Sequence, residues 1–171
     1  MTSPKRATRA LDRIDRNILR TLQADGRIAM TELAERVGLS VSPCTERVRR
    51  LERERYITGY HARLDPHLLG QSLLVFVELK LTAKSGAIFD EFKRAVRKLP
   101  GILECHLVSG DYDYLIKARI PEMNAYRKLL GDMLLALPGA RESRSYIVME
   151  EIVERLEIEI AEPARGEASR R

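Results

Sequence analysis

Five of the nine residues in RVRRLERER, positions 47–55, are arginine, and the stretch before them, VSPCTE, is made of small side chains and one glutamate. Planar guanidinium groups bind phosphate oxygens in pairs, so this segment suits a polyanion. The same residues also suit a solvated helix laced with i,i+4 ion pairs such as Glu46 with Arg50. A second concentration of chemistry is Ser109-Gly110-Asp111-Tyr112-Asp113-Tyr114, with two carboxylates close together. Paired carboxylates can share acid–base work, but Gly and Asp are equally the residues of a solvated hairpin turn. The rest of a catalytic inventory is missing: there is no GxSxG, no P-loop, no HExxH and no nucleotide fingerprint, and His61, His67 and His106 are scattered. An enzyme is therefore not expected and no residue is assigned as catalytic. Cys44 and Cys105 stand far apart without metal-ligand spacing, so the sequence predicts reduced core thiols and neither a metal site nor a disulfide framework.

The elements that must hold these residues differ between the two halves of the chain. Leu11, Ile14, Ile18 and Leu22 recur at helical spacing, as do Leu33, Ala34 and Val37, and then Cys44, Val48 and Leu51. Three helices follow. Asp12 caps the first and Asp25-Gly26 ends it; Gly38 closes a short second helix that begins near Ala29; Ser40 or Ser42 with Pro43 opens the third. A short helix, a turn through Gly38-Leu39-Ser40 and an arginine-rich helix are the order of a helix-turn-helix. With Cys44, Val48 and Leu51 inward, Val41, Ser42, Thr45, Glu46 and Arg49 are the candidates for meeting base edges, and Arg47 and Arg50 for meeting phosphates. A packaging protein that bends DNA with little sequence preference would use a similar helix.

From Tyr56 the segment YITGYHARLD reads as a strand-like linker or small wing. Beyond it, residues 73–81, 102–108, 114–120 and 143–149 read as strands, and 87–99 and 122–137 as helices. The first of these helices would face inward with Ile88, Phe92, Val96 and Leu99, the second with Met123, Tyr126, Leu130, Met133 and Leu137. Leu99-Pro100-Gly101 recurs as Leu137-Pro138-Gly139, each time closing a helix before a strand, so two βαβ copies make a ferredoxin-like sandwich. The fold class is α+β: a three-helix, winged helix-turn-helix over 1–60, a linker over 61–71, a ferredoxin-like βαββαβ domain over 72–160, and a small, charged tail over 161–171 expected to be disordered. A sandwich of this kind leaves one sheet face without helices, and a second subunit is expected to cover it.

Charge supports the division. Residues 1–70 hold 14 Lys and Arg against 9 Asp and Glu, while residues 71–171 hold 16 against 16, so the whole excess of +5 lies in the first half. A basic module beside a neutral one fits a nucleic-acid binder joined to a domain of another kind. No run approaches the roughly 18 apolar residues of a membrane helix, and the basic N-terminus leads into no apolar signal core, so the expected compartment is the cytoplasm.

The segments LDRIDRNIL, DGRI, ELAERVGLS, SPCTERVRRLE, SLLVFVE, ECHLVSGDYDYL, YRKLL and YIVMEE together resemble the Lrp/AsnC family of transcription regulators, from about Leu11 to Glu151. The resemblance implies a helix-turn-helix joined to a ferredoxin-like regulatory domain, dimers that associate into octamers around double-stranded nucleoid DNA, and control by a small amino acid, with leucine expected and no other cofactor. It also implies an effector pocket between neighbouring dimers, built around Ser109, Gly110, Asp111, Tyr112, Asp113 and Tyr114. A zwitterion needs a carboxylate for its ammonium group and N–H donors for its own carboxylate, which a glycine-bearing loop supplies. Asp113 is the expected ammonium partner. By position, Leu107, Met123, Tyr146 and Val148 would line the apolar part.

Overall fold

The computed structural model describes residues 10–83 and 85–162. They form two units, one running to Ala62 and resumed from Glu154, the other spanning Arg63–Val153. The stretch from Glu154, expected to close the regulatory domain, makes its contacts with the first unit. The tail expected to be disordered lies, from residue 163 on, outside the described residues.

In the first unit α1 spans Arg13–Ala24, α2 Met30–Val37 and α3 Val41–Arg53. Asp12 caps α1 through Asp15 N–H, and the Asp15 carboxylate accepts the Asp12 N–H in return, which satisfies two donors at the helix start. α2 begins after Ala29 with no side-chain cap, and Gly38 stops it in the left-handed region at φ 71°, where a side chain would be strained. Ile18, Leu19, Leu33, Ala34, Cys44, Val48 and Leu51 form the core, with Leu11, Ile14, Leu22 and Val37 partly buried against it; Leu19 lies outside the stripe that the helical spacing predicts. YITGYHARLD, expected to be strand-like, joins no ladder.

The returning segment is extended and is held by backbone as much as by side chains. Gln23 Nε2 donates to Ile158 O at 3.1 Å and Gln23 Oε1 accepts from Ile158 N at 2.9 Å. Arg20 donates to Ile160 O and to the Glu162 carboxylate, and Arg16 to Ala161 O. Ile160 packs on the helical core.

In the second unit β1 spans Leu73–Leu81, α4 Gly86–Val96, β2 Ile102–Leu107, β3 Tyr114–Ile120, α5 Met123–Ala136 and β4 Ala140–Ile147. The sheet is antiparallel in the order β2-β3-β1-β4, the arrangement two βαβ copies give. Val75, Val77, Leu79, Tyr114, Ile116 and Ala118 meet Phe92, Val96, Leu129, Met133 and Leu137 of the two helices.

Four expectations need correction. α4 stops at Val96, because the chain tightens into three-residue turns from Lys98 to Ala95 and Leu99 to Val96 before Pro100. The strand expected over 102–108 ends one residue earlier. In α5 it is Leu129, with Met133 and Leu137, that is buried, while Met123 is exposed. β4 begins at Ala140 and ends at Ile147, not 143–149; its early residues are polar, and backbone pairing with β1 recruits them.

The repeated turns work alike. Gly101 and Gly139 both have positive φ, at 78° and 75°. The Gly101 carbonyl accepts Arg119 N–H and the Gly139 carbonyl accepts Thr82 N–H, each fastening a helix exit to a neighbouring strand.

Candidate nucleic-acid interface and ligand loop

A helical repeat of 3.6 residues sorts α3 into faces. Cys44, Val48 and Leu51 lie inward. Ser42, Glu46, Arg49 and Arg53 share the opposite, exposed stripe, with Val41 beside them at its N-terminal end. Thr45 is half-buried, and its hydroxyl donates to Val41 O at 2.8 Å. Arg49 makes no ion pair among the described residues, while Arg53 takes Glu46 at 3.1 Å. The i,i+4 pairing of Glu46 with Arg50 is not what the helix adopts.

Arg47 and Arg50, expected on phosphates, stand off that stripe. Arg47 Nη1 donates to Asp12 Oδ2 at 2.6 Å and to Asp15 Oδ1 at 2.8 Å; Arg50 Nη2 lies 2.5 Å from Asp15 Oδ2. The cause is Asp15, whose side chain is 1% exposed. A carboxylate removed from water must be met by cations or donors. The pairing also tells on Asp12: burial on its own would raise that carboxyl, but the Asp15 N–H and the Arg47 guanidinium outweigh it and hold the group below its usual range. Arg47 in turn is held further toward its charged form by its bonds to Asp12 and Asp15. Asp15, the buried carboxylate that orders both arginines, is absent from the sequence-predicted site, although a signal existed. Leu11, Asp15, Ile18 and Leu22 follow one helical stripe, so a carboxylate occupies an apolar position.

The loop Ser109 to Asp113 joins β2 to β3. Ser109, Gly110 and Asp111 are exposed and Tyr112 is half-buried; Gly110 takes φ 134°. Asp111 and Tyr112 share a groove with Lys80, Glu142 and Arg144. Asp113 turns inward: its Oδ2 accepts Leu81 N–H at 2.9 Å, its N–H donates to Leu79 O, and its carbonyl accepts Val108 N–H. At 4% exposure, it does not stand open for an ammonium group as expected. Tyr114 is a core residue, stacked on Phe92 at 3.9 Å and edge-on to Phe89; burial pushes its hydroxyl pKa up. Burial likewise drives the Cys105 thiol up to about 11.

The ten expected effector residues do not meet within one chain. Leu107 and the loop lie where β1 ends, through Asp113 with Leu79 and Leu81. Val148 lies near its start, its N–H on Leu74 O, and Met123 follows Ile120, which pairs with Leu73; Tyr146 stands mid-strand beside Phe76, its hydroxyl donating to Glu78, which lines the same groove as Asp111 and Tyr112. Five residues of strand between Leu74 and Leu79 amount to roughly 17 Å. Leu107, Met123 and Tyr146 are each about half exposed.

Comparison with known proteins agrees with this division. Residues 11–58 match the family model described as winged helix-turn-helix DNA-binding, and residues 74–158 the one described as Lrp/AsnC ligand binding domain. The chain is 61% identical over 150 residues to the leucine-responsive regulatory protein of Escherichia coli K12, covering 88% of this chain and 92% of that one. A transcriptional regulator from Neisseria meningitidis, solved in complex with L-methionine, superposes with a TM-score of 0.82 at 35% identity over 88% of this chain and 97% of its own. An AsnC family regulator from Agrobacterium tumefaciens superposes at 0.83 with 34% identity, covering 87% and 97%.

Proposed function

The chain belongs to the Lrp/AsnC family, and from that premise we propose that it is a sequence-specific DNA-binding transcription regulator of amino-acid metabolism that responds to a small amino acid. The observation that carries the reading is the high identity to a leucine-responsive regulator across both units. On α3, Val41, Ser42, Thr45, Glu46 and Arg49 face the base edges and flanking backbone of double-stranded DNA.

Leucine is the effector this reading assigns. The loop of residues 109–113 offers it backbone N–H groups, with Asp113 anchoring the loop from inside, and Leu107, Met123, Tyr146 and Val148 supply apolar contact. Because the loop and the Met123–Val148 end are separated along β1, the pocket is completed by a second copy. Dimers form through the helix-free sheet face, where Phe76, Leu115 and Tyr146 sit among Glu78, Lys117 and Arg144, and associate further into octamers. The compartment is the cytoplasm, with the nucleoid as partner; among the described residues no helix is long and apolar enough to cross a membrane.

Thermal unfolding of the purified protein against the twenty amino acids tests the effector. A ligand at 100 times its dissociation constant stabilises by about 2.7 kcal/mol. A selective upward shift with leucine supports the assignment, a shift confined to methionine transfers it to that amino acid, and a flat panel overturns it.

A further inference from the structure

We infer that Asp15 is the positioning residue of the DNA-reading helix: it fixes Arg47 and Arg50 against α1, sets the rotation of α3, and withdraws both arginines from the phosphate backbone. The inference rests on the DNA-binding reading above. Its observations are independent of it. Asp15 is wholly buried: its Oδ1 accepts a hydrogen bond from Arg47 at 2.8 Å, and its Oδ2 makes an ionic contact with Arg50 at 2.5 Å without hydrogen-bond geometry. Asp12 adds a second anchor on Arg47 at 2.6 Å. The two arginines lie three residues apart, so the clamp grips α3 at two points one turn apart and opposes its roll.

Roll matters because Ser42, Glu46 and Arg49 present themselves along one narrow stripe, and turning the helix by one residue would replace them. In this division of labour Arg49, unpaired among the described residues, contacts DNA, and Arg47 and Arg50 orient the surface that Arg49 belongs to. Asp15 acts through them and touches no nucleotide.

The separation is measurable, because each protein cation on a phosphate contributes about 0.9 to the slope of log affinity against log salt. The full-length protein would first select its preferred duplex from a pool with a randomised centre. Binding to that duplex and to unselected pool DNA would then be followed against salt. Arg49→Met is expected to lower the slope by about one contact. Arg47→Met and Arg50→Met are expected to keep the wild-type slope while losing at least tenfold in preference for the selected duplex. Asp15→Asn is expected to lose the same preference yet keep or steepen the slope on pool DNA, since it frees Arg50 and leaves Arg47 on Asp12 alone. A loss of overall structure would lower slope and preference together.

A slope reduced as much by Arg47→Met or Arg50→Met as by Arg49→Met would overturn the inference, and these variants decide it even if Asp15→Asn does not fold. Failure of the wild-type protein to select any duplex would instead sink the DNA-binding reading, and the positioning role with it.

Discussion

Among the described residues each unit buries one carboxylate, and the two tie together different parts of the chain. Asp15 is met by the full charges of two arginines from another helix. Asp113 accepts a main-chain donor, Leu81 N–H, and carries its own backbone into bonds with Leu79 and Val108. A charge-matched site depends on side chains 32 and 35 positions away and holds two helices in register. A carboxylate bonded to a strand's backbone N–H depends on strands already paired and pins a loop to their end. The first suits a surface whose orientation must be fixed, the second a loop that must present its tip while its root stays closed.

The contrast predicts unequal costs. Asp15→Ala leaves Arg50 without its anion and Arg47 with Asp12 alone, and breaking a buried pair typically destabilises by about 3–5 kcal/mol. Denaturant unfolding should show the loss in the helical unit alone. Asp113→Ala leaves the Leu81 N–H without its acceptor, a loss that by itself is worth about 1–3 kcal/mol and falls in the sheet unit. Asp113→Asn keeps an oxygen acceptor and should cost less. Equal losses for the two alanine variants would erase the distinction.

Acid sharpens it. The Asp12 carboxyl is held below its ordinary value of 3.8. A group with a lowered folded-state pKa adds stability that is fully present above its unfolded value and fades as pH falls through the folded one. The helical unit should therefore lose stability as pH drops below about 4, and Asp12→Asn should flatten that limb. The sheet unit has its own acid-sensitive carboxylate, Glu104, lowered by His106 and then by Lys117. Its limb should be unchanged in Asp12→Asn when unfolding is followed from pH 7 downward.

What was legible in the sequence was whatever the chain settles locally. The caps at Asp12 and Gly38, the inward stripes of α1 to α3 and the β1 and β3 ranges all follow from spacing between neighbours. The two Leu-Pro-Gly repeats announced the doubled βαβ architecture because a positive-φ turn needs glycine wherever it recurs. What stayed hidden was decided at a distance. Arg47 and Arg50 look like a phosphate-binding pair until Asp15 is placed beside them. β4 begins with Ala140, Arg141 and Glu142, whose polarity conceals a strand formed by pairing to β1. Asp113 reads as an exposed loop acid because sequence does not reveal that Leu81 N–H lies underneath it.

The smallest expected effect concerns the stretch from Glu154 to Glu162, which the sequence assigned in large part to the regulatory domain and which docks on α1. Its fastening at Gln23 consists of two exposed hydrogen bonds, Nε2 to Ile158 O and Ile158 N to Oε1. Net contributions per bond are about 0.5–1.5 kcal/mol, and exposure puts these near the lower end. Gln23→Ala should barely move the unfolding midpoint of the helical unit. Its signature is local: amide exchange at Ile158 should accelerate while the α1 to α3 core keeps its protection, because that core rests on Ile18, Leu33 and Leu51 and not on the returning chain. Unchanged exchange at Ile158 would mean that Arg16, Arg20 and the packing of Ile160 hold the segment by themselves. Protection lost across α1 would mean that the segment is part of the helical fold. In that case the helix-turn-helix is built from both ends of the described chain, and no boundary near residue 60 would release it as an independent unit.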